Sequence, residues 1–242
     1  MTDNKSVKIY AMSDLHLGLG LKETKSMDRF GAMWHEHHKH IAETWRRWVS
    51  DDDIVLIPGD ISWAIRLDDA IPDLEFIKSL PGYKVILKGN HDFWFQSISR
   101  VREVFNGDKC FVLQNDAIVV GNVGIAGTRG WTCPGSSFWK EGDQKIYDRE
   151  VERLKRSLDS LPDDVEYRIV MMHYPPTNEH LHLSGFTELI EAYDVNKCVF
   201  GHLHKNESRL TGNVNGVDYY LASCDHLGFR PLLLKILGEQ TL

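Results

Sequence analysis

Val7-Lys8-Ile9-Tyr10-Ala11-Met12-Ser13-Asp14-Leu15-His16 is a largely apolar run that ends in an acid and an imidazole. Residues 7–12 have the length and the β-branched and aromatic content of a buried strand, and the serine and aspartate behind them favour a turn. The same construction recurs downstream. Residues 54–57 run into Pro58-Gly59-Asp60, 85–87 into Gly89-Asn90-His91-Asp92, 169–172 into His173, and 198–200 into Gly201-His202-Leu203-His204. In open α/β sheets, sites form outside the carboxyl ends of the strands, so five such tips can converge on one cleft.

Working outward, residues 123–126 read as a further strand, and amphipathic stretches lie between the strands. Trp34, Ile41, Trp45 and Trp48 recur at helical spacing across 29–49. Residues 68–80, with Pro72 near the start of the regular helix, and 97–105, 147–161 and 186–193 are the other predicted helices. Strand–helix–strand order predicts an α/β fold with parallel or mixed sheets covered by helices. Towards the end, 208–210 and 217–222 flank Asn215-Gly216, a two-residue hairpin signal, and 232–236 form a last strand. A second sheet richer in antiparallel pairs is therefore expected in the C-terminal half. No internal repeat or linker divides the chain, so one domain over residues 1–242 is expected.

The 242 residues are 42% hydrophobic, enough for a sizeable core. A formal charge of -7 disfavours long nucleic acid as a partner. The four cysteines form no C-x-x-C pair and read as reduced, packed thiols. Residues 1–7 are polar and lack the apolar run of a signal peptide, and no segment approaches the roughly 18 apolar residues of a membrane span. A cytoplasmic location with no membrane partner is the expectation.

The tips offer aspartate, asparagine and histidine but no thiolate. Such oxygen and imidazole donors suit Mn, Fe or Zn better than Cu(I) or an iron–sulfur cluster. Asp14, His16, Asp60, Asn90, His173, His202 and His204 are too many for one tetrahedral zinc. They fit two divalent cations sharing a carboxylate, an arrangement that stabilises the attacking and leaving oxygens of phosphoryl transfer and activates a bridging hydroxide. Gly59, Gly89 and Gly201 precede three of these residues, where a strand must turn abruptly or pass close to a crowded cluster.

The ordered blocks D-x-H (Asp14, His16), G-D (Gly59, Asp60), G-N-H-D (Gly89 to Asp92), H (His173) and G-H-x-H (Gly201 to His204) resemble the calcineurin-like metallophosphoesterase superfamily. The resemblance implies a four-layer α/β/β/α sandwich of two mixed sheets flanked by helices. It implies Asp14, His16, Asp60 and His204 around a first metal, and Asp60, Asn90, His173 and His202 around a second. His91 would stand beside the scissile phosphate, stabilising charge or protonating the leaving oxygen. Asp92 is expected to orient a loop or a ligand rather than bind metal. The implied activity is hydrolysis of a phosphomonoester or phosphodiester of a small phosphorylated substrate. The alternative is an inactive interaction scaffold on the same fold.

Further residues are candidate substrate contacts: Trp63 and Arg66 after the Asp60 block, Arg129 and Trp131 in a glycine-flanked loop, and His37 or His38 in a histidine-rich helix. The competing reading is structural: an ion-paired arginine, core tryptophans and a solvated helix face. Asp225 and His226 carry a weaker indication of approaching the site through late-sheet topology. One departure is informative. Protein phosphatases of the superfamily extend the second block to G-D-x-x-D-R-G, whereas Trp63 and Ala64 stand here in place of the second acid and the arginine. The sequence is closer to small bacterial-type members of the superfamily.

Overall fold

The computed structural model describes residues 6–21, 27–106, 109–204 and 208–237. The first sheet holds β1 (Val7–Ala11), β2 (Ile54–Ile57), β3 (Tyr83–Ile86), β4 (Cys110–Val112) and β11 (Leu232–Leu237), in the order β11-β1-β2-β3-β4. Its pairings are parallel except for β11 against β1. The second holds β5 (Ile118–Val120), β6 (Val123–Thr128), β7 (Tyr167–Met172), β8 (Lys197–Phe200), β9 (Gly212–Val214) and β10 (Val217–Leu221), ordered β5-β6-β7-β8-β10-β9. Here the inner pairings are parallel and the two edge pairings antiparallel.

Alternation of side chains along each strand builds the layers. In β1, Ile9 and Ala11 join Leu56, Val85, Ile125, Ile169, Met171 and Val199 in a core between the two sheets. Tyr10 and Met12 face the other way, onto α1 (His37–Trp48) and α2 (Leu67–Lys78) through Ile41, Trp45, Leu74 and Ile77; α3 (Ile98–Val104) covers the same face with Val101. On the far side, Val170, Met172, Cys198 and Phe200 pack against α4 (Asp143–Asp159) and α5 (Gly185–Ala192) through Leu154, Leu158, Phe186 and Ile190. The result is the expected α/β/β/α sandwich. Burying one such aliphatic or aromatic side chain stabilises by about 1.5–3 kcal/mol, so three contiguous cores supply the main driving force.

Local expectations are met unevenly. The Asn215-Gly216 turn is formed, with both residues at positive φ (51° and 85°) joining Val214 to Val217. Its first strand is 212–214 rather than 208–210, and β11 pairs with β1 in the first sheet; the second sheet, with two antiparallel pairings to the first sheet's one, is the more antiparallel. The helix expected over 29–49 is broken: short 3-10 turns at Met27–Phe30 and Ala32–Trp34 precede α1, because Gly31 (φ 132°) and Glu36 (φ 46°) leave the helical region. Trp48 is 38% exposed and lies under the Arg230 guanidinium rather than in the core. Pro72 sits inside α2, which begins at Leu67, instead of near its start. None of the described helices is long and apolar enough to cross a membrane.

Candidate metal centre

The strand tips are stitched together by backbone hydrogen bonds. Beyond β1, Asp14 N donates to Gly59 O and His16 N to Asp60 O, both at 3.0 Å, while Ser13 N donates to Ala222 O and Cys224 N returns to Ser13 O. Gly201 N donates to His173 O. Asp14, His16, Asp60 and His202 all have left-handed backbones, with φ of 56°, 45°, 52° and 71°. Such conformations cost of order 1–3 kcal/mol each for a residue with a Cβ and persist where the surroundings over-determine them, typically at functional sites.

Three glycines permit the approach of these tips, for two different reasons. Gly59 combines positive φ (92°) with contact to the next tip: a Cβ there would lie 2.5 Å from Gly89 N. Gly89 and Gly201 need no unusual φ; they are glycine for space. A Cβ at Gly89 would stand 2.1 Å from Asp60 Oδ1, and one at Gly201 2.3 Å from Asp14 Oδ2.

All seven predicted ligands meet in one cluster. His16 Nε2 lies 4.0 Å from Asp14 Oδ1, 3.9 Å from Asp60 Oδ2 and 3.4 Å from His204 Nε2. His173 Nε2 lies 3.5 Å from Asp60 Oδ1 and 2.6 Å from Asn90 Oδ1, which His202 Nδ1 approaches to 2.8 Å. Donor atoms of Asp14, His16 and His204, and of Asp14, Asp60 and His173, each converge within 4.8 Å. Asp14 is common to both groups, while Asp60 turns one oxygen towards His16 and the other towards His173.

The donors fit cations. Asp14 and Asp60 are buried, and their described ion partners are imidazoles rather than lysine or arginine. Burial pushes Asp14 up to about 6, against the lowering effects of His204, the Ser13 and Ser223 hydroxyls and His202 N. Burial and then the neighbouring Asp14 and Asp92 carboxylates hold Asp60 well above the usual range. Burial, reinforced by neighbouring histidines, holds His16 and His173 well below the usual imidazole value and His202 at about 4. The rings are therefore neutral, the form that binds metal. At His173, Nδ1 faces Pro58 O at 2.9 Å and Nε2 faces Asn90 Oδ1. A neutral ring with its N–H on Pro58 O keeps a lone pair at Nε2, on the side of Asn90, free to bind a cation.

Supporting groups surround the donors. Asp92 accepts hydrogen bonds from the N–H groups of Asp60, Ile61, Ser62 and Gly89 and from Trp94 Nε1. Asp14 Oδ2 accepts from the Ser13 and Ser223 hydroxyls, and both Asp14 oxygens face His202 N. Asp225 Oδ1 lies 3.2 Å from His204 Nδ1. The role of Ser13 had a local signal, its place beside Asp14; that of Ser223 had none, because the Ser13–Ser223 bridge is a tertiary pairing.

His91 N donates to Asp60 Oδ1 at 2.8 Å, and its ring lies 5.8 Å from that of His16. Trp63, standing where protein phosphatases carry an acid, stacks on His16 at 4.7 Å and lies 4.6 Å from His91. His37 is buried, with its ring nitrogens against Leu15 O and Trp34 O, so it fixes the segment between Asp14 and His16. His38 is half-buried and lines a cavity of about 340 Å³ beside His16. Arg66 is exposed and has no described side-chain contact with the cluster. Arg129 contributes its carbonyl, which accepts from His173 N and Tyr174 N, while its guanidinium turns to Glu150 and the Trp131 face. Trp131 and Tyr174 line a cavity of about 440 Å³ that reaches His202.

Fold and site together define an α/β sandwich with a buried carboxylate–imidazole centre at its strand tips. Residues 7–206 match the family model of the calcineurin-like phosphoesterases, and the chain belongs to that family. It is accordingly a metal-dependent phosphoesterase that uses divalent ions. The UPF0046 protein K07C11.7 of Caenorhabditis elegans is 22% identical over 204 residues, spanning 78% of this chain and 69% of that protein. Two crystal structures share the fold. One is phosphopantetheinyl hydrolase (PptH) from Mycobacterium tuberculosis, with TM-score 0.58, 15% identity and 97% of both chains covered. The other is a protein of unknown function, AQ665, from Aquifex aeolicus, with TM-score 0.53, 12% identity and 94% and 95% covered.

Proposed function

We propose that this chain hydrolyses a phosphomonoester or phosphodiester of a small molecule at a centre for two divalent ions. The carrying observation is Asp60: its two carboxylate oxygens face different imidazoles, His16 at 3.9 Å and His173 at 3.5 Å. Asp14, His16, Asp60 and His204 would hold one ion, and Asp60, Asn90, His173 and His202 the other. When bound, Mn, Fe or Zn would supply the Lewis acidity that activates water and offsets charge on the phosphate oxygens.

The chain's own groups do the rest. Asp92 fixes the Asp60 loop by accepting its N–H groups, and Asp225 orients the His204 ring through Nδ1. His91, held by its N–H to Asp60, would donate a proton from its imidazole to the leaving oxygen. The organic part of the substrate would enter the cavity lined by His202, Trp131 and Tyr174, whose size suits a small organic phosphate.

The test is metal analysis with p-nitrophenyl phosphate and bis-p-nitrophenyl phosphate assays on the wild type, Asp60→Asn and His91→Ala. Two metals per chain and turnover lost in both variants are expected. Metal content near zero with no stimulation by Mn would overturn the reading in favour of an inactive scaffold.

A further inference from the structure

A further cavity, of about 270 Å³, lies at the carboxyl ends of β3 and β6 beneath α4, and its charged lining is Lys88, Arg129, Arg149, Glu150 and Arg153. Four cations face one carboxylate in a chain whose net charge is -7. Glu150 is fully buried and its oxygens are taken: Thr128 Oγ1 donates to Oε2 and Arg153 Nη1 to Oε1, both at 2.8 Å. Arg129 Nη2 and Arg149 Nε stand off at 3.5 and 3.7 Å. Arg129 Nε is buried with no hydrogen-bond partner, and the guanidinium lies 4.8 Å over the Trp131 ring. The Lys88 ammonium donates to the neutral Phe95 O at 2.6 Å. Burial lowers both Lys88 and Arg129; Arg129 and Arg153 lower Lys88 further, with Asp92 and Glu150 opposing.

A planar guanidinium with an unmet Nε donor, a second arginine beside it and an ammonium on the same wall form the donor set that a tetrahedral oxyanion takes. We propose that this cavity binds a phosphate-class oxyanion through Arg129, Arg149 and Lys88, as a site separate from the metal centre. Glu150 presets the arginines, and the Arg129–Trp131 stack borders both this cavity and the one beside His202. The oxyanion is either free inorganic phosphate or the distal phosphate of a substrate that carries two.

The probe is inorganic phosphate, titrated calorimetrically into metal-loaded wild type, Arg149→Gln and Arg149→Glu. The Arg149 side chain is half exposed and stands 3.7 Å from its ion partner Glu150, so both variants should fold. Two phosphates per wild-type chain are expected. One is weakened about tenfold by Arg149→Gln, the worth of one charge-assisted contact, and is lost in Arg149→Glu. Wild-type phosphate binding that is absent, or an Arg149→Glu titration identical to the wild type, would overturn the site. A KM raised in Arg149→Glu only for a bisphosphorylated ester identifies the distal phosphate; relief of phosphate inhibition identifies the free ion. Because binding is read directly, phosphate binding that depends on Arg149 in a protein without esterase activity upholds this site while removing the proposed reaction.

Discussion

The Asp92 carboxylate accepts the backbone N–H of Asp60 at 2.9 Å, so the acid at one strand tip sets the backbone of the acid at the neighbouring tip. Three further backbone amides and the Trp94 indole share that carboxylate. In Asp92→Asn an amide NH₂ would replace one acceptor oxygen among these donors. A loss of roughly 2–5 kcal/mol is expected in urea unfolding of the metal-free protein, together with loss of bound metal. Wild-type stability in the variant would show that the network is replaceable.

Asp60→Asn should behave in the opposite sense. Asp60 is buried beside Asp14 and Asp92, and burial and both neighbours oppose its ionised form. The neutral amide removes that repulsion and keeps an acceptor for His91 N. Unfolding of the metal-free variant is expected at equal or higher denaturant concentration, with phosphoesterase activity down at least ~100-fold. A variant both unstable and inactive would mean that the carboxylate serves folding.

Metal affinity should fall with acidity through a definite window. Asp14 is raised to about 6 and Asp60 is raised as well, so below about pH 6 protons compete with cations for the carboxylates. His202, lowered to about 4, stays neutral over the same range and does not limit binding. Titration of metal-free protein should give nearly constant affinity well above pH 6 and roughly a tenfold loss per pH unit per displaced proton below it. Affinity unchanged down to pH 4.5 would contradict the raised carboxylates.

Gly89→Ala tests the tight approach of two tips. The added Cβ would lie 2.1 Å from Asp60 Oδ1 and 2.2 Å from Asp60 N, and a backbone atom cannot rotate away. A cost of about 1–3 kcal/mol and reduced metal occupancy are expected, read by thermal unfolding and elemental analysis. Full occupancy would mean that the two loops can separate without loss of the centre.

Asp225→Asn tests orientation at a distance from the ion. The carboxylate lies 3.2 Å from His204 Nδ1, which leaves Nε2 to face the cluster. Metal affinity should drop about 10–100-fold with the fold intact, as measured by competition with a chelator. An unchanged affinity would leave Asp225 only a packing role.

Much of the site was legible because its signals are local. An apolar run followed by a polar donor, in three cases through a glycine, marks a strand end in the residues themselves, and this placed Asp14, Asp60, Asn90, His173 and His202 at tips. Strands β4 and β5 were missed because each is three residues long, too short for a period to register. The helix break before His37 was missed because Glu36 takes a left-handed backbone that its residue type does not advertise.

The chain by itself determined the alternation of strands and helices, the order of the polar tips and the class of their donors, because backbone preference and side-chain period act over a few residues. Only the tertiary structure decided that β11 closes the first sheet, that Ser223 and Asp225 reach Asp14 and His204, and that the Arg129 guanidinium turns to Glu150. Those outcomes depend on which faces are buried together. Packing two sheets fixes distances between atoms that no short stretch of sequence relates.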